Sequence, residues 1–214
     1  MKFYYLIKTL LRLVYYLQSN EKRYLNLLIS IIKNKPKKIL EVGVYNGRRA
    51  VQMIQAAKIF NDNIEYYGFD LFEQITNKIY KKEASKFPDS RLIVLNKLKK
   101  YGKIFLFKGF TKITLKKYSS KNNKVDFVFI DGGHTVKTIS NDFLYSSKIA
   151  RKNSTIIFDD YYISEYVDIN KIGSNKLYNQ LKKNKKNPKL LPFSDKYINN
   201  GKTKIIKMFE VKNK

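Results

Sequence analysis

Five short apolar runs in this chain each stop at an acid or a glycine, and the stretches between them are patterned for helices. Residues 38–42, 66–70, 104–107, 125–130 and 155–158 read as strands, and residues 48–60, 74–86 and 135–150 as helices. A β-α-β-α rhythm predicts a parallel sheet covered on both faces. The residues at the strand ends are Glu41 and Gly43, Asp70, Gly109, Asp131, and Asp159 with Asp160. Open α/β sheets bind ligands outside the carboxyl ends of their strands, so these side chains are expected to converge on one crevice.

Around this core lie two different termini. Residues 1–17 are apolar and aromatic but interrupted by Lys2, Lys8 and Arg12. The run falls short of the ~20 apolar residues that span a bilayer. It reads as an accessory helix packed on the domain; a helix lying in a membrane interface, with Lys8 and Arg12 reaching for head groups, is the second reading. Tyr24, Leu27, Leu28, Ile31 and Ile32 mark one face of a second helix, stopped by Pro36. Residues 1–35 are thus expected to be accessory helices and residues 36–214 one domain. At the other end, residues 190–211 predict an antiparallel hairpin turning within 195–201, preceded by a solvated Lys/Asn/Pro loop at 182–189.

The formal charge of +27 admits a nucleic acid or an anionic membrane as partner. Nearly all of it is lysine, however, with six arginines in the chain, and the accompanying Asn, Ile and Tyr are what AT-rich coding produces in any protein. The absence of cysteine removes disulfides, thiolate metal sites and a Cys nucleophile.

Ile39-Leu40-Glu41-Val42-Gly43-Val44-Tyr45-Asn46-Gly47 places a strand, an acid and two glycines four apart ahead of an amphipathic helix. Glycines admit close backbone approach, and the helix start offers free N–H groups to a carboxylate. The spacing departs from the dinucleotide fingerprint. It resembles motif I of the class I S-adenosylmethionine-dependent methyltransferases, in the form found in catechol O-methyltransferase-like enzymes, and the resemblance extends from about Ile39 to Phe158. The resemblance implies a Rossmann-like, doubly wound, mostly parallel seven-stranded sheet with a C-terminal antiparallel hairpin. It also implies that Glu41, Gly43, Tyr45, Asn46 and Gly47 cradle the methionine end of S-adenosylmethionine, that Asp70 accepts the ribose hydroxyls, and that Phe110 and Thr111 contact adenine. Spacing supports Asp70 independently, since a ribose-binding acid is expected ~20 residues beyond the glycines; a turn or N-cap acid is the plainer reading.

Asp131-Gly132-Gly133-His134, closing a buried strand, and Asp159-Asp160-Tyr161, closing the next, resemble segments of the macrocin O-methyltransferase and cephalosporin-hydroxylase-like group. In that resemblance Asp131, Asp159 and Asp160 hold a metal, with Asp131 also reaching the cofactor. Three carboxylates in a partly dry cleft repel unless a cation lies among them, which makes Mg²⁺ the natural expectation; a substrate-binding acid pair without metal is the alternative. His134, the chain's one histidine, is the candidate general base beside Asp131, unless it only hydrogen-bonds locally. Lys137 is a substitute, Asp142 reads as structural, and Tyr161 and Tyr162 either line the acceptor pocket or pack beside it.

The expected activity is a divalent-metal-dependent O-methyltransferase acting on a small-molecule or glycan hydroxyl in the cytoplasm. The lack of cysteine excludes the cytosine-C5 methyltransferases. No Asn-Pro-Pro-Tyr or Asp-Pro-Pro-Tyr sequence follows the fourth strand, which weighs against a nucleic-acid methyltransferase; a non-catalytic cofactor-binding module is the third reading.

Overall fold

The computed structural model describes residues 1–83, 86–121 and 123–214. Helices α1 (Lys2–Gln18) and α2 (Tyr24–Asn34) come first. The alternating unit follows: β1 (Lys38–Val42), α3 (Arg48–Ala57), β2 (Glu65–Asp70), α4 (Asn77–Glu83), α5 (Arg91–Leu98), β3 (Lys103–Lys108), α6 (Thr111–Ser119), β4 (Val125–Ile130), α7 (Val136–Ile149) and β5 (Ala150–Ser164). Helix α8 (Asn175–Lys183) leads to the hairpin β6 (Lys189–Asn199) and β7 (Lys202–Lys212). The end of the helix expected over 74–86 lies partly outside the described residues.

The seven strands run in the order β3-β2-β1-β4-β5-β7-β6. The first five are parallel, and β7 enters antiparallel between β5 and β6. Because the chain builds outward from β1 to β3 and then returns to start β4 beside β1, helices leave the sheet in opposite directions there. A crevice opens at that switch point.

Alternation along the strands divides the core in two. Ile39, Tyr66, Phe127 and Phe129 face α2, α3 and α5, where Leu28, Ile31, Met53 and Val94 meet them. Leu40, Val42, Val128 and Ile130 face α6, α7 and α8. Helix α2 is part of the first core layer rather than an appendage: Leu25, Leu27, Leu28 and Ile31 are fully buried. Asn26 also exchanges hydrogen bonds with the Phe193 backbone of β6, at 2.7 and 3.2 Å. Strand β5 runs past its expected end, through a bulge between Phe158 and Tyr161, to pair with β7 as far as Ser164.

Candidate active site

A cleft of about 670 Å³ occupies the switch point, within the size range of small-molecule sites. Its floor is the β1 loop. Gly43 has φ +88°, and a Cβ there would fall 2.0 Å from the Asp131 carbonyl oxygen, so only glycine lets the ends of β1 and β4 touch. Tyr45 is also left-handed at φ 54°, and Gly47, at φ 74°, starts α3. Gly43, Tyr45, Asn46, Asp70, Phe110, Thr111, Asp131, His134 and Asp160 all line the cleft.

Asp70 holds this floor. Its Oδ2 accepts from the amides of Val44 and Tyr45 at 2.7 and 2.8 Å, and its Oδ1 from Phe72 at 3.1 Å. Burial pushes its carboxyl up against the pull of those amides. Glu41 is placed differently from expectation. It shares the parity of Ile39, points into the core beneath the loop, and is fully buried beside the Tyr66 hydroxyl, which donates to it. Its Oε1 has no partner among the described residues, and burial pushes its carboxyl up to about 8 despite Tyr66 and Arg49. Glu41 braces the loop from below; it is not part of the cleft lining, and neither is Gly47.

Asp142, read from sequence as structural, also lines the cleft, from the inner face of α7. It is fully buried; Asn141 and Thr111 hydrogen-bond it, yet Oδ2 lacks a partner among the described residues. Burial, against those hydrogen bonds, raises its carboxyl to about 7.

The opposite half of the cleft carries the β4 and β5 acids. His134 Nδ1 lies 2.5 Å from Asp160 Oδ2. Burial works to lower the imidazole pKa, but the Asp160 hydrogen bond and charge, with Asp159 and Glu83 behind them, raise it above its ordinary value. The same contact outweighs burial at Asp160 and holds that carboxyl low. The dyad is buttressed from three sides. The Glu83 carbonyl accepts from the His134 amide and its carboxylate from Thr135, Gly173 donates to the His134 carbonyl, and Ser174 ties down the carbonyls of Asp159 and Asp160. Asp160 sits in the β5 bulge at φ 60°, a conformation that costs an aspartate about 1–3 kcal/mol and that persists where surroundings dictate it.

Asp159 faces away from this dyad and toward Arg23. The Arg23 Nε reaches both Asp159 oxygens, at 2.9 and 3.0 Å; its Nη1 binds Asp195, and Nη2 donates to the Tyr24 hydroxyl at 2.9 Å. Although burial works against the charge, Asp159, Tyr24 and Asp195 hold the guanidinium charged, above its ordinary pKa. Tyr24 lies under Arg49, 3.3 Å from its guanidinium carbon, and its hydroxyl stands 3.5 Å from Asp131 Oδ2. Desolvation, then the charges of Asp159 and Asp160, push the Asp131 carboxyl well above the usual range.

As a metal-ligand set, Asp131, Asp159 and Asp160 do not fit. Arg23 takes both oxygens of Asp159 and His134 takes Asp160, and among the described residues no group of three or more His, Cys, Asp or Glu side chains is placed to hold a metal ion. The expected Mg²⁺ site is corrected on that ground: the Arg23 guanidinium takes up the charge of Asp159, and Asp160 is engaged by the His134 ring. Of the other expected residues, Tyr162 lines the cleft, whereas Tyr161 packs edge-on against Tyr178 and Phe209 and Lys137 is exposed outside it.

Sequence reasoning missed Arg23, Tyr24, Arg49, Glu83 and the lining role of Asp142. One signal was available: in a chain where 44 basic residues include six arginines, three of the six (Arg23, Arg48 and Arg49) line this cleft. The planar fork of Arg23 suits its position between two carboxylates, which a lysine ammonium could not bridge in the same way.

Comparison with known proteins identifies the family and the fold. A family profile described as a methyltransferase domain matches residues 40–161, more than half of the chain. No curated protein matches in sequence. Among solved structures, an O-methyltransferase of tomaymycin synthesis from Streptomyces achromogenes, bound to S-adenosylmethionine, is similar with a TM-score of 0.56 at 10% identity, covering 88% of this chain and 79% of its own. A Bacillus cereus O-methyltransferase bound to S-adenosylhomocysteine has a TM-score of 0.56 at 15% identity, with coverages of 89% and 79%. The N-methyltransferase NodS from Bradyrhizobium japonicum, with the same bound product, has a TM-score of 0.55 at 9% identity, with coverages of 90% and 87%. The chain belongs to the methyltransferase-domain family and is an enzyme with the class I, S-adenosylmethionine-dependent fold.

Proposed function

We propose that this protein is an O-methyltransferase that binds S-adenosylmethionine over the β1 loop and methylates the hydroxyl of a small molecule or sugar at the β4–β5 side of the cleft. The observation that carries the reading is the His134–Asp160 dyad, a base of raised pKa in the wall opposite the glycine loop. The residues lining the cleft fit the cofactor: Gly43, Tyr45 and Asn46 would hold its methionine end, Asp70 its ribose, and Phe110 and Thr111 its adenine. The orphaned, buried Oδ2 of Asp142, beside Thr111, is an acceptor waiting for a donor such as an adenine amino group.

S-adenosylmethionine, when bound, supplies an electrophilic methyl group on a sulfonium. The protein contributes position and a proton acceptor. With Nδ1–H donated to Asp160, Nε2 of His134 carries the lone pair and takes the acceptor's hydroxyl proton, and Asp160 stabilises the resulting imidazolium. Arg23 neutralises Asp159, which otherwise would add a second negative charge next to the oxygen that is losing its proton. Tyr24, Tyr162 and Tyr197 give the acceptor side aromatic walls suited to a ring, and Lys204 a cation at its edge. Among the described residues the acids Asp159 and Asp160 are already paired with Arg23 and His134, so turnover is expected to survive EDTA.

The test is transfer of labelled methyl from S-adenosylmethionine to a panel of hydroxylated sugars and phenols, with EDTA present. His134→Ala is expected to lower kcat by about 10²–10⁴ while S-adenosylhomocysteine still binds. Full turnover in that variant, or a strict need for added Mg²⁺, would refute the reading.

A further inference from the structure

Helix α1 is apolar on both sides. Tyr5, Thr9, Arg12, Leu13 and Tyr16 face the domain, where Arg12 turns inward to Gln55 at 2.5 Å rather than outward. The opposite face is equally apolar. Phe3 is 73% exposed and Leu11 60%, and Tyr4, Ile7, Leu10 and Val14 lie beside them. At 100° per residue these six fall on one arc, centred opposite Tyr16. A continuous exposed patch of this kind marks an interaction surface rather than scattered surface residues.

The occupant follows from size and charge. Among the described residues no helix is long and apolar enough to cross a membrane, and 17 residues extend for only ~25 Å, which fits a helix lying along a surface. The chain carries +27, so a second copy brought against this face meets like charge, whereas an anionic bilayer meets opposite charge. Lys8 projects from the border of the apolar arc, stacked on Tyr4 at 5.7 Å, placed for its ammonium to reach head groups while its stem stays with the apolar face.

We propose that α1 binds in the plane of an anionic membrane surface, its Phe3–Val14 face sunk into the acyl boundary and the lysine-rich body drawn to the head groups. The chain leaves α1 directly into Glu21, Arg23 and Tyr24 of the cleft wall, so docking holds the mouth of the acceptor site close to the lipid surface. This inference does not depend on the chemistry assigned to His134.

The experiment is vesicle flotation of the full chain with phosphatidylcholine alone and with added phosphatidylglycerol, at low and high salt. The variant is Leu10→Glu with Leu11→Glu; both side chains point away from the domain, and a thermal melt matching the parent certifies folding. Expected are binding that requires the anionic lipid and a loss of at least about tenfold in the double variant, with salt weakening but not abolishing parental binding. The proposal is overturned if the parent ignores anionic vesicles, or if the double variant binds as well as the parent. It is equally overturned if sedimentation shows a parental dimer that the variant dissociates, since a second copy then covers the face.

Discussion

Replacing Arg23 by Met removes one cation from two buried carboxylates at nearly constant side-chain volume. The Arg23 side chain is 12% exposed, and those of Asp159 and Asp195 1% and 0%, so water does not screen what is lost. Breaking a buried pair from one side costs about 3–5 kcal/mol because the surviving charge stays buried. Two carboxylates are orphaned here, but each keeps a backbone donor at 2.8 Å, the Asp160 amide for Asp159 and the Arg23 amide for Asp195, which places the loss at the lower end of that range. About 3 kcal/mol in a chain of this length is roughly 6–12 °C of Tm. Differential scanning calorimetry of Arg23→Met, Asp159→Asn and the double variant reads it directly. The double variant should recover part of the loss, since a neutral amide needs no counter-charge, and Arg23→Lys should fall between, because one ammonium cannot fork to both acids. If Arg23→Met melts within about 2 °C of the parent, the cluster is not the charge keystone described here.

Three further outcomes follow from the same geometry. Asp160→Asn removes the partner that raises His134, so the acid limb of kcat/KM should move to lower pH while the plateau falls; an unmoved limb would detach the histidine from catalysis. Burial raises Glu41 in the folded chain from 4.5 to about 8, so the stability it contributes is full below 4.5 and is lost as pH rises through 8; Glu41→Gln should flatten urea stability across that window and gain up to roughly 4 kcal/mol over the parent at its upper end. Asp142→Leu should weaken S-adenosylhomocysteine by about 10–100-fold if its orphan oxygen meets the cofactor, against no change if it is only a helix-packing acid.

How much of this was legible in the sequence depended on how local the cause was. Strands β1 and β4 and the glycine loop were readable because their apolar runs and turn residues are contiguous, and the parallel order followed from the alternation. Helices α5, α6 and α8 escaped notice because each is anchored by just two buried apolar residues, Val94 and Leu98, Leu115 and Tyr118, Leu177 and Leu181, in surroundings rich in Lys and Asn. The start of α5 did carry a readable signal, Ser90 accepting from the Ile93 amide. The end of β5 was set too early because Asp159 and Asp160 read as a terminus; the bulge lets both pass while the strand continues on β7.

The site divided in the same way. Asp70, Asp131, His134 and Asp160 end strands that converge, so position along the chain sufficed. Glu41 was misplaced by proximity to the glycines, although strand parity with Ile39 turns it to the other side. Arg23 reaches Asp159 across 136 positions, and no local pattern encodes that ion pair. The metal expectation did not foresee this pairing: the acids do lie close enough to raise one another, but a distant arginine takes both oxygens of Asp159.

In the reading proposed above, the crevice between β1 and β4 holds S-adenosylmethionine without a metal. Calorimetric titration of the full chain with S-adenosylhomocysteine in EDTA decides whether it does. Saturable binding at one site per chain, undiminished by EDTA, is the predicted result. Absence of saturable binding, or binding that appears only when Mg²⁺ is restored, would contradict it.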